Sequence, residues 1–330
     1  MRFGLLGAGR IGRIHGFNVA ARRDARLVAV ADASREAATS LAQATGAKVA
    51  DADAILGDSG IDAILICTPT DTHADLIEAA VSAGKAVFCE KPVDLDSGRI
   101  RRCLAAVETS GRPLMIGFNR RFDPNFASLE RRLRSGEVGE IEIVSIISRD
   151  PAPPPVDYVR RSGGLFRDMM IHDFDMARFL LAEEPVEVFA LGAALVDKAI
   201  GEAGDVDTAA VLMKTASGRI AQISNSRRAA YGYDQRVEVH GSKGMLRAGN
   251  IHETTLEIAT SQGFRADPVQ NFFLERYAAA YRAELAAFID ACAGKAALSP
   301  TGLDGLRAQM LADAATESAR IGRPVAIGAA

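Results

Sequence analysis

Along the first third of the chain, short apolar runs alternate with stretches whose apolar residues recur at helical spacing. The runs at 2–6, 27–31, 63–66, 86–89 and 114–117 read as strands, with amphipathic helices between them. That alternation predicts a parallel sheet covered by helices on both faces. Near Asn119 the pattern changes. One helix at 124–135 leads to a β-branched run at 141–148, followed by the cluster Pro151, Pro153, Pro154 and Pro155. From 186 to 258 the chain reads mostly as strands separated by Gly, Asp and Asn turns, and helices at 272–292 and 304–321 finish it. The pattern therefore predicts an α/β first domain over 1–119. An α+β second domain with a large, open, mostly antiparallel sheet is expected over 120–330. No internal repeat or low-complexity linker interrupts either part.

Composition narrows the partners. The chain has 330 residues, 48% of them hydrophobic and 25% charged, which is enough for two cores. A net charge of -3 gives no global attraction to nucleic acid or to an anionic membrane, so a small-molecule partner is expected. Cys67, Cys89, Cys103 and Cys292 form no CxxC pair, which fits a reducing, cytoplasmic setting. No apolar run approaches the length of a membrane span, and Met1-Arg2 leads straight into the first strand without a secretory core.

The first strand runs into Gly7-Ala8-Gly9-Arg10-Ile11-Gly12 and then into a helix, the context in which a GxGxxG turn binds a dinucleotide. Glycines there permit a tight turn, close approach of backbone to a pyrophosphate, and close packing of the helix on the sheet. Twenty residues after Gly12, Asp32 ends the second strand, where its carboxylate can accept bonds from the adenosine ribose hydroxyls and repel a 2′-phosphate. NAD is therefore expected over NADP, although Arg35 can partly compensate. The first domain thus reads as a Rossmann dinucleotide-binding fold. Two further loops, Thr68-Pro69-Thr70 with His73, and Glu90-Lys91-Pro92, fall at carboxyl ends of strands on the same edge and join the expected cofactor group. His73 can instead simply begin a helix. His15, His240 and His252 show no acidic partner at useful spacing and read as structural.

In the second domain, Asp168 and His172 stand four residues apart in Gly163-Gly164-Leu165-Phe166-Arg167-Asp168-Met169-Met170-Ile171-His172. On a helix this spacing puts carboxylate and imidazole on one face, where the acid can orient the ring. A metal site built from Asp168, His172, Asp173 and Asp175 is not expected, because one histidine among acids is a poor ligand set.

The glycine turn, Glu90-Lys91-Pro92 and the Gly-Gly-x-Phe-x-Asp-x-x-x-His segment together resemble the Gfo/Idh/MocA oxidoreductases. Further agreement lies in Gly117-Phe118-Asn119-Arg120-Arg121-Phe122-Asp123, Ser148-Arg149-Asp150-Pro151 and the stretch from Asn225 to Asp234. The resemblance covers essentially the whole chain. It implies that Lys91, Asp168 and His172 form the catalytic group, and that Lys91, Arg121, Asp150, Asp168, His172 and Tyr233 contact substrate hydroxyls. Asp123, Tyr231 and Asp234 are substitutes for that last role. It also implies a homotetramer and NAD-dependent oxidation of a secondary hydroxyl of a cyclic polyol, myo-inositol first. Another inositol isomer or a pyranose sugar is the alternative, with a non-catalytic NAD-bound regulator and an NAD-dependent glycosidase further off. In such a reaction a base removes the hydroxyl proton as hydride leaves the carbon. His172, with an ordinary pKa of about 6.5, suits that task better than Lys91, whose ordinary value is about 10.4. Lys91 would then steady the oxygen.

Overall fold

The six strands of the first sheet are β1 (Arg2–Leu6), β2 (Arg26–Ala31), β3 (Lys48–Val49), β4 (Ala63–Ile66), β5 (Ala86–Cys89) and β6 (Leu114–Ile116). All pair in parallel, in the order β3-β2-β1-β4-β5-β6. Every residue of β4 and β5 is buried, as expected of strands covered on both faces. The order reverses between β1 and β4, so the loops after these two strands flank the crevice where an open α/β sheet holds its ligand. The two-residue β3 is too short to leave a periodic signature in the sequence.

The computed structural model describes residues 1–328, so positions 329 and 330 of the expected second domain lie outside the described residues. The chain forms two units, Met1–Asn119 with Ala280–Gln309, and Arg120–Ala279 with residues 310–328. Residues 280–309 thus belong with the first unit, not with a second domain running unbroken over 120–330. The physical reason is aromatic burial. Phe288 stacks edge-on against Phe88 at 5.8 Å and lies 6.3 Å from Phe3, inside the core of the parallel sheet. Thr301 also bridges antiparallel to Met115 on the edge strand, and the Ile116 N–H donates to the Pro300 carbonyl at 3.1 Å.

The second unit is built on β7 (Ile141–Arg149), β8 (Pro185–Ala193), β9 (Thr208–Thr215), β10 (Ile220–Ser226), β11 (Asp234–Gly241) and β12 (Gly244–Ala248). A separate exposed hairpin pairs β13 (Glu257–Thr260) with β14 (Gly263–Ala266), and β15 (Val325–Ala326) closes the main sheet. The order is β12-β11-β7-β10-β9-β8-β15, antiparallel except for the β7–β10 pair. Strand alternation separates its faces. Val144, Ile146, Val211, Met213, Ala221 and Ile223 are buried, whereas Leu191, Leu212, Ile220 and Met245 on the opposite face are exposed. Helix Ile171–Leu181 packs on β7 and β10. Among the described residues no helix is long and apolar enough to cross a membrane.

Phe288→Ala should lower stability by about 3–5 kcal/mol, the usual cost of emptying an aromatic core position. Denaturant unfolding checks this, and a loss under about 1 kcal/mol would show that the returning segment is not part of the first core.

Candidate active site

In the first unit, β1 delivers the chain into the glycine turn. Gly7 sits at φ +95, and a Cβ there would lie 2.4 Å from the Cys67 carbonyl oxygen. A Cβ on Gly12 would lie only 1.8 Å from the Gly7 carbonyl oxygen. The protein's own backbone demands these two glycines. Gly9 differs, because a Cβ there meets nothing within 4 Å. Gly9 caps helix Arg10–Ala20 with no side-chain bond to the first-turn amides, and it leaves open space above them. First-turn N–H groups beside a bare Cα at a helix N-terminus form a cradle for a pyrophosphate. Ile11 in that first turn is half-buried and Arg10 is exposed.

Asp32 is fixed across from this turn. Its Oδ2 accepts from the Ala8 N–H at 2.6 Å and its Oδ1 from the Ser34 N–H at 2.7 Å. A cavity of about 240 Å³ opens beside it, lined by Gly7, Asp32, Ala33, Asp51, Thr68 and Leu76. Apolar walls next to a held carboxylate suit an adenosine. Arg35, three residues on, is exposed at the start of helix Arg35–Thr45. The residues present therefore fit a dinucleotide.

Two further loops meet this edge, and their side chains are used differently from expectation. Thr68 and Thr72 share a hydroxyl bond at 2.6 Å, and Pro69 precedes a 3-10 turn over Thr70–Thr72. His73, expected in the cofactor group, begins helix His73–Ser82 and is buried. Its Nδ1 lies 2.7 Å from the Pro92 carbonyl and its Nε2 lies 2.8 Å from the Thr68 carbonyl. Neither nitrogen is left for a ligand, so His73 ties the loop after β4 to the loop after β5. Glu90, also expected at the cofactor, turns its carboxylate to His15, whose Nε2–H donates to Oε1 at 2.8 Å. A Cβ on Gly117 would come within 3.1 Å of the same carboxylate. His15 therefore has an acidic partner after all, 75 residues away in sequence. It faces a second one, the fully buried Glu284, at 3.8 Å. Burial, with the Glu90 charge adding to it, pushes the Glu284 carboxyl well above the usual range. Lys91 between these fixtures is half-buried.

In the second unit, the segment carrying Asp168 and His172 is not one continuous helix. Helix Gly164–Asp168 ends at Asp168, and helix Ile171–Leu181 begins with His172 in its first turn. Met169 and Met170 between them both bond back to the Leu165 carbonyl, at 3.1 and 2.9 Å, so the regular ladder is interrupted there. The Asp168 carboxylate accepts from the Tyr158 hydroxyl at 2.9 Å and lies 3.6 Å from the Arg227 guanidinium. Asp150 follows β7, with its N–H bonded to the Ser226 carbonyl at 3.0 Å. Burial pushes its carboxyl up to about 6, with the Arg227 charge opposing and the Asp168 charge adding. Tyr233 is buried edge-on to Tyr277 at 6.0 Å, and burial raises its phenol well above the ordinary value. Asp150 contributes to that rise, which places the two side chains in one neighbourhood.

Arg121, expected at a substrate hydroxyl, is instead committed to the protein. Its Nε donates to Asp175 at 2.7 Å, its Nη2 bonds the other oxygen, and its face lies 4.7 Å from the Phe179 ring. A bidentate, stacked guanidinium in the core is a packing device. Arg120 is paired with Asp173, which also accepts from Asn225 at 2.9 Å. The substitutes are similarly occupied. Asp123 caps helix Pro124–Arg134 and pairs with Arg276, while Tyr231 donates to the buried Asp234 at 2.6 Å. The sequence reading missed Arg227, Tyr158 and Asp205, whose only signal was their place near recognised motifs.

Residues 1–118 match the family model described as an oxidoreductase family with an NAD-binding Rossmann fold, and residues 126–247 match its GFO/IDH/MocA C-terminal domain. An inositol 2-dehydrogenase of Rhizobium meliloti (strain 1021) is 57% identical over 327 residues, 99% of this chain and 99% of that protein. A solved myo-inositol dehydrogenase from Corynebacterium glutamicum superposes with a TM-score of 0.96 at 47% identity, covering 100% of this chain and 99% of that one. A scyllo-inositol dehydrogenase from Lactobacillus casei, solved with bound NAD(H) and scyllo-inositol, gives 0.92 at 30% identity, covering 99% and 98%.

The glycines should separate by experiment. Gly9→Ala should cost about 1 kcal/mol of stability or less while weakening NAD binding about tenfold or more. Gly12→Ala should cost about 2 kcal/mol or more through overpacking. Calorimetric titration with NAD and thermal unfolding measure both, and a Gly9→Ala protein with undiminished affinity would count against the cradle.

Proposed function

The chain belongs to the Gfo/Idh/MocA oxidoreductase family, and from that premise we propose that it oxidises myo-inositol at one secondary hydroxyl, giving 2-keto-myo-inositol and NADH. NAD is its cofactor, held on a Rossmann domain with a parallel sheet. The observation that carries the substrate class is the second unit's set of buried or half-buried acid and phenol groups, Asp150, Asp168 and Tyr233. Acceptors and phenols of this kind recognise a ring of hydroxyls, and they penalise an analogue that leaves one of them unpaired. The likeness to inositol dehydrogenases over the whole chain supports the same substrate.

When bound, the nicotinamide supplies the acceptor for the hydride that leaves the carbinol carbon. The chain's own residues manage the proton and the oxygen. His172 takes the hydroxyl proton as general base, Asp168 orients the imidazole, and Lys91 donates to the oxygen as negative charge grows on it. Asp150 and Tyr233 bind neighbouring hydroxyls. Asp32, held by the Ala8 and Ser34 amides, accepts from the ribose hydroxyls and disfavours a 2′-phosphate. Arg121, His73 and Glu90 are assigned no direct contact with ligand, because their polar atoms are engaged within the protein.

We further place the enzyme in the cytoplasm, where its four free thiols are stable, and as a homotetramer. The exposed apolar face of the large sheet, with Leu191, Leu212, Ile220 and Met245, supports self-association.

NADH absorbance with myo-, scyllo- and D-chiro-inositol and glucose, run with NAD and NADP, tests the reading. Fastest turnover with an inositol and NAD is expected. Scyllo-inositol is the second candidate, because a relative solved with it is similar over the whole chain. No net NADH from any inositol would sink the assignment. His172→Ala should lower kcat by about 10²–10⁴-fold. Its NAD affinity should stay near that of the parent, and parallel loss of both would remove His172 from the chemistry.

A further inference from the structure

Arg227 is the most completely sealed cation of the second unit whose side chain lacks full hydrogen bonding. It is 1% exposed, its Nε and Nη2 make no hydrogen bond, and its backbone N–H is anchored on the Asp207 carbonyl at 2.8 Å. A buried guanidinium with unmade bonds is costly to keep, so its neighbours should account for it.

One carboxylate lies against this cation and two more feel its charge. Asp168 Oδ2 lies 3.6 Å from Nη2. Asp150 is bonded through its N–H to the carbonyl of Ser226, the residue before Arg227, and it feels the charges of Arg227 and Asp168. Asp205 accepts the Leu165 N–H with both oxygens, at 3.1 and 3.0 Å, and lies in the field of the same two groups. The titratable groups around Asp168 include Tyr158 from helix Val156–Ser162, Asp150 from the end of β7, Arg227 from the end of β10, and Asp205 after helix Lys198–Glu202. His172 stands one turn onward on the next helix. Arg120 and Asp173, also felt by Asp150, neutralise one another.

We propose that Arg227 is a positioning residue for the reaction, a buried counter-charge that holds Asp150 and Asp168 from behind as a pair of acceptors for polyol hydroxyls. The inference rests on the roles given above to Asp150, Asp168 and His172. It deepens them by naming what keeps two substrate-side acids together. An ionised Asp150 can only accept, whereas a protonated one also presents an O–H, so its charge state decides which hydroxyl orientation fits. Burial already brings this carboxyl to about 6, and Arg227 is the first group opposing that rise. Removing the guanidinium should therefore push it higher and carry the acid limb of activity with it.

The test is the pH profile of kcat/KM for inositol, with saturating NAD, in the full-length protein and in R227Q, R227K and D205N. R227Q should move the acid limb up by about one pH unit, with about tenfold loss near the limb and recovery at higher pH. R227K keeps the charge and should leave the limb close to its original position. D205N removes a competing acid outside the binding group and should move the limb down. An unmoved limb in R227Q, or equal movement in R227Q and R227K, overturns the proposal. If R227Q does not fold, D205N decides, and a limb that stays or rises overturns it. Failure of the underlying reading has its own sign, full turnover in His172→Ala. A dead His172→Ala with an unmoved R227Q limb would remove only the role of Arg227.

Discussion

The approach of backbone to backbone at Gly7 and Gly12 is the constraint on which the first unit depends. With 1.8 Å between a would-be Gly12 Cβ and the Gly7 carbonyl, the first helix can lie against the sheet only if that carbon is absent. Its closeness aims the helix N-terminus across the reversal point of the strand order, next to the loop after β4. Gly9, Asp32 and the adjoining cavity are consequences of that placement. The fold needs two of the three glycines for itself and leaves the third for a ligand.

Behind this edge, buried polar side chains hold the loops. His73 spans the carbonyls of Thr68 and Pro92, and His15 holds the Glu90 carboxylate. Lys91 lies in sequence between Glu90 and Pro92, so each neighbour of the lysine is fixed by a separate histidine. Two loops that would otherwise be mobile connections between strand and helix are thereby given defined positions, which a group acting on a reacting oxygen requires.

The second unit handles charge by a different rule. Arg120 with Asp173, Arg121 with Asp175, and Arg276 with Asp123 are buried pairs that neutralise themselves within the core. Such pairs contribute little net stability, but removing one member leaves a buried charge, so they define which helices and strands must be adjacent. Their commitment also identifies the polar groups that remain for chemistry. Asp168, which accepts from Tyr158, lies beside Arg227, and Asp150 feels the same charge.

The sequence by itself determined the βα alternation, the glycine turn and the position of Asp32, because these depend on local periodicity and on where a backbone can bend. It also determined the mixed, mainly antiparallel character of the second sheet, through β-branched runs and turn residues. Only the tertiary structure decided that residues 280–309 return to the first core, since Phe288 reads as one more apolar helical residue until Phe3 and Phe88 surround it. The same holds for the polar side chains. Arg121, His73 and Glu90 carry the residue types of a binding site, and only their long-range partners show that they are occupied within the protein. Arg227 gave no local sign of burial, and the Asp168–His172 spacing hid a break in the helix. Local spacing fixes which face of an element a group shares, but the partner that meets it is set by chain segments far away in sequence.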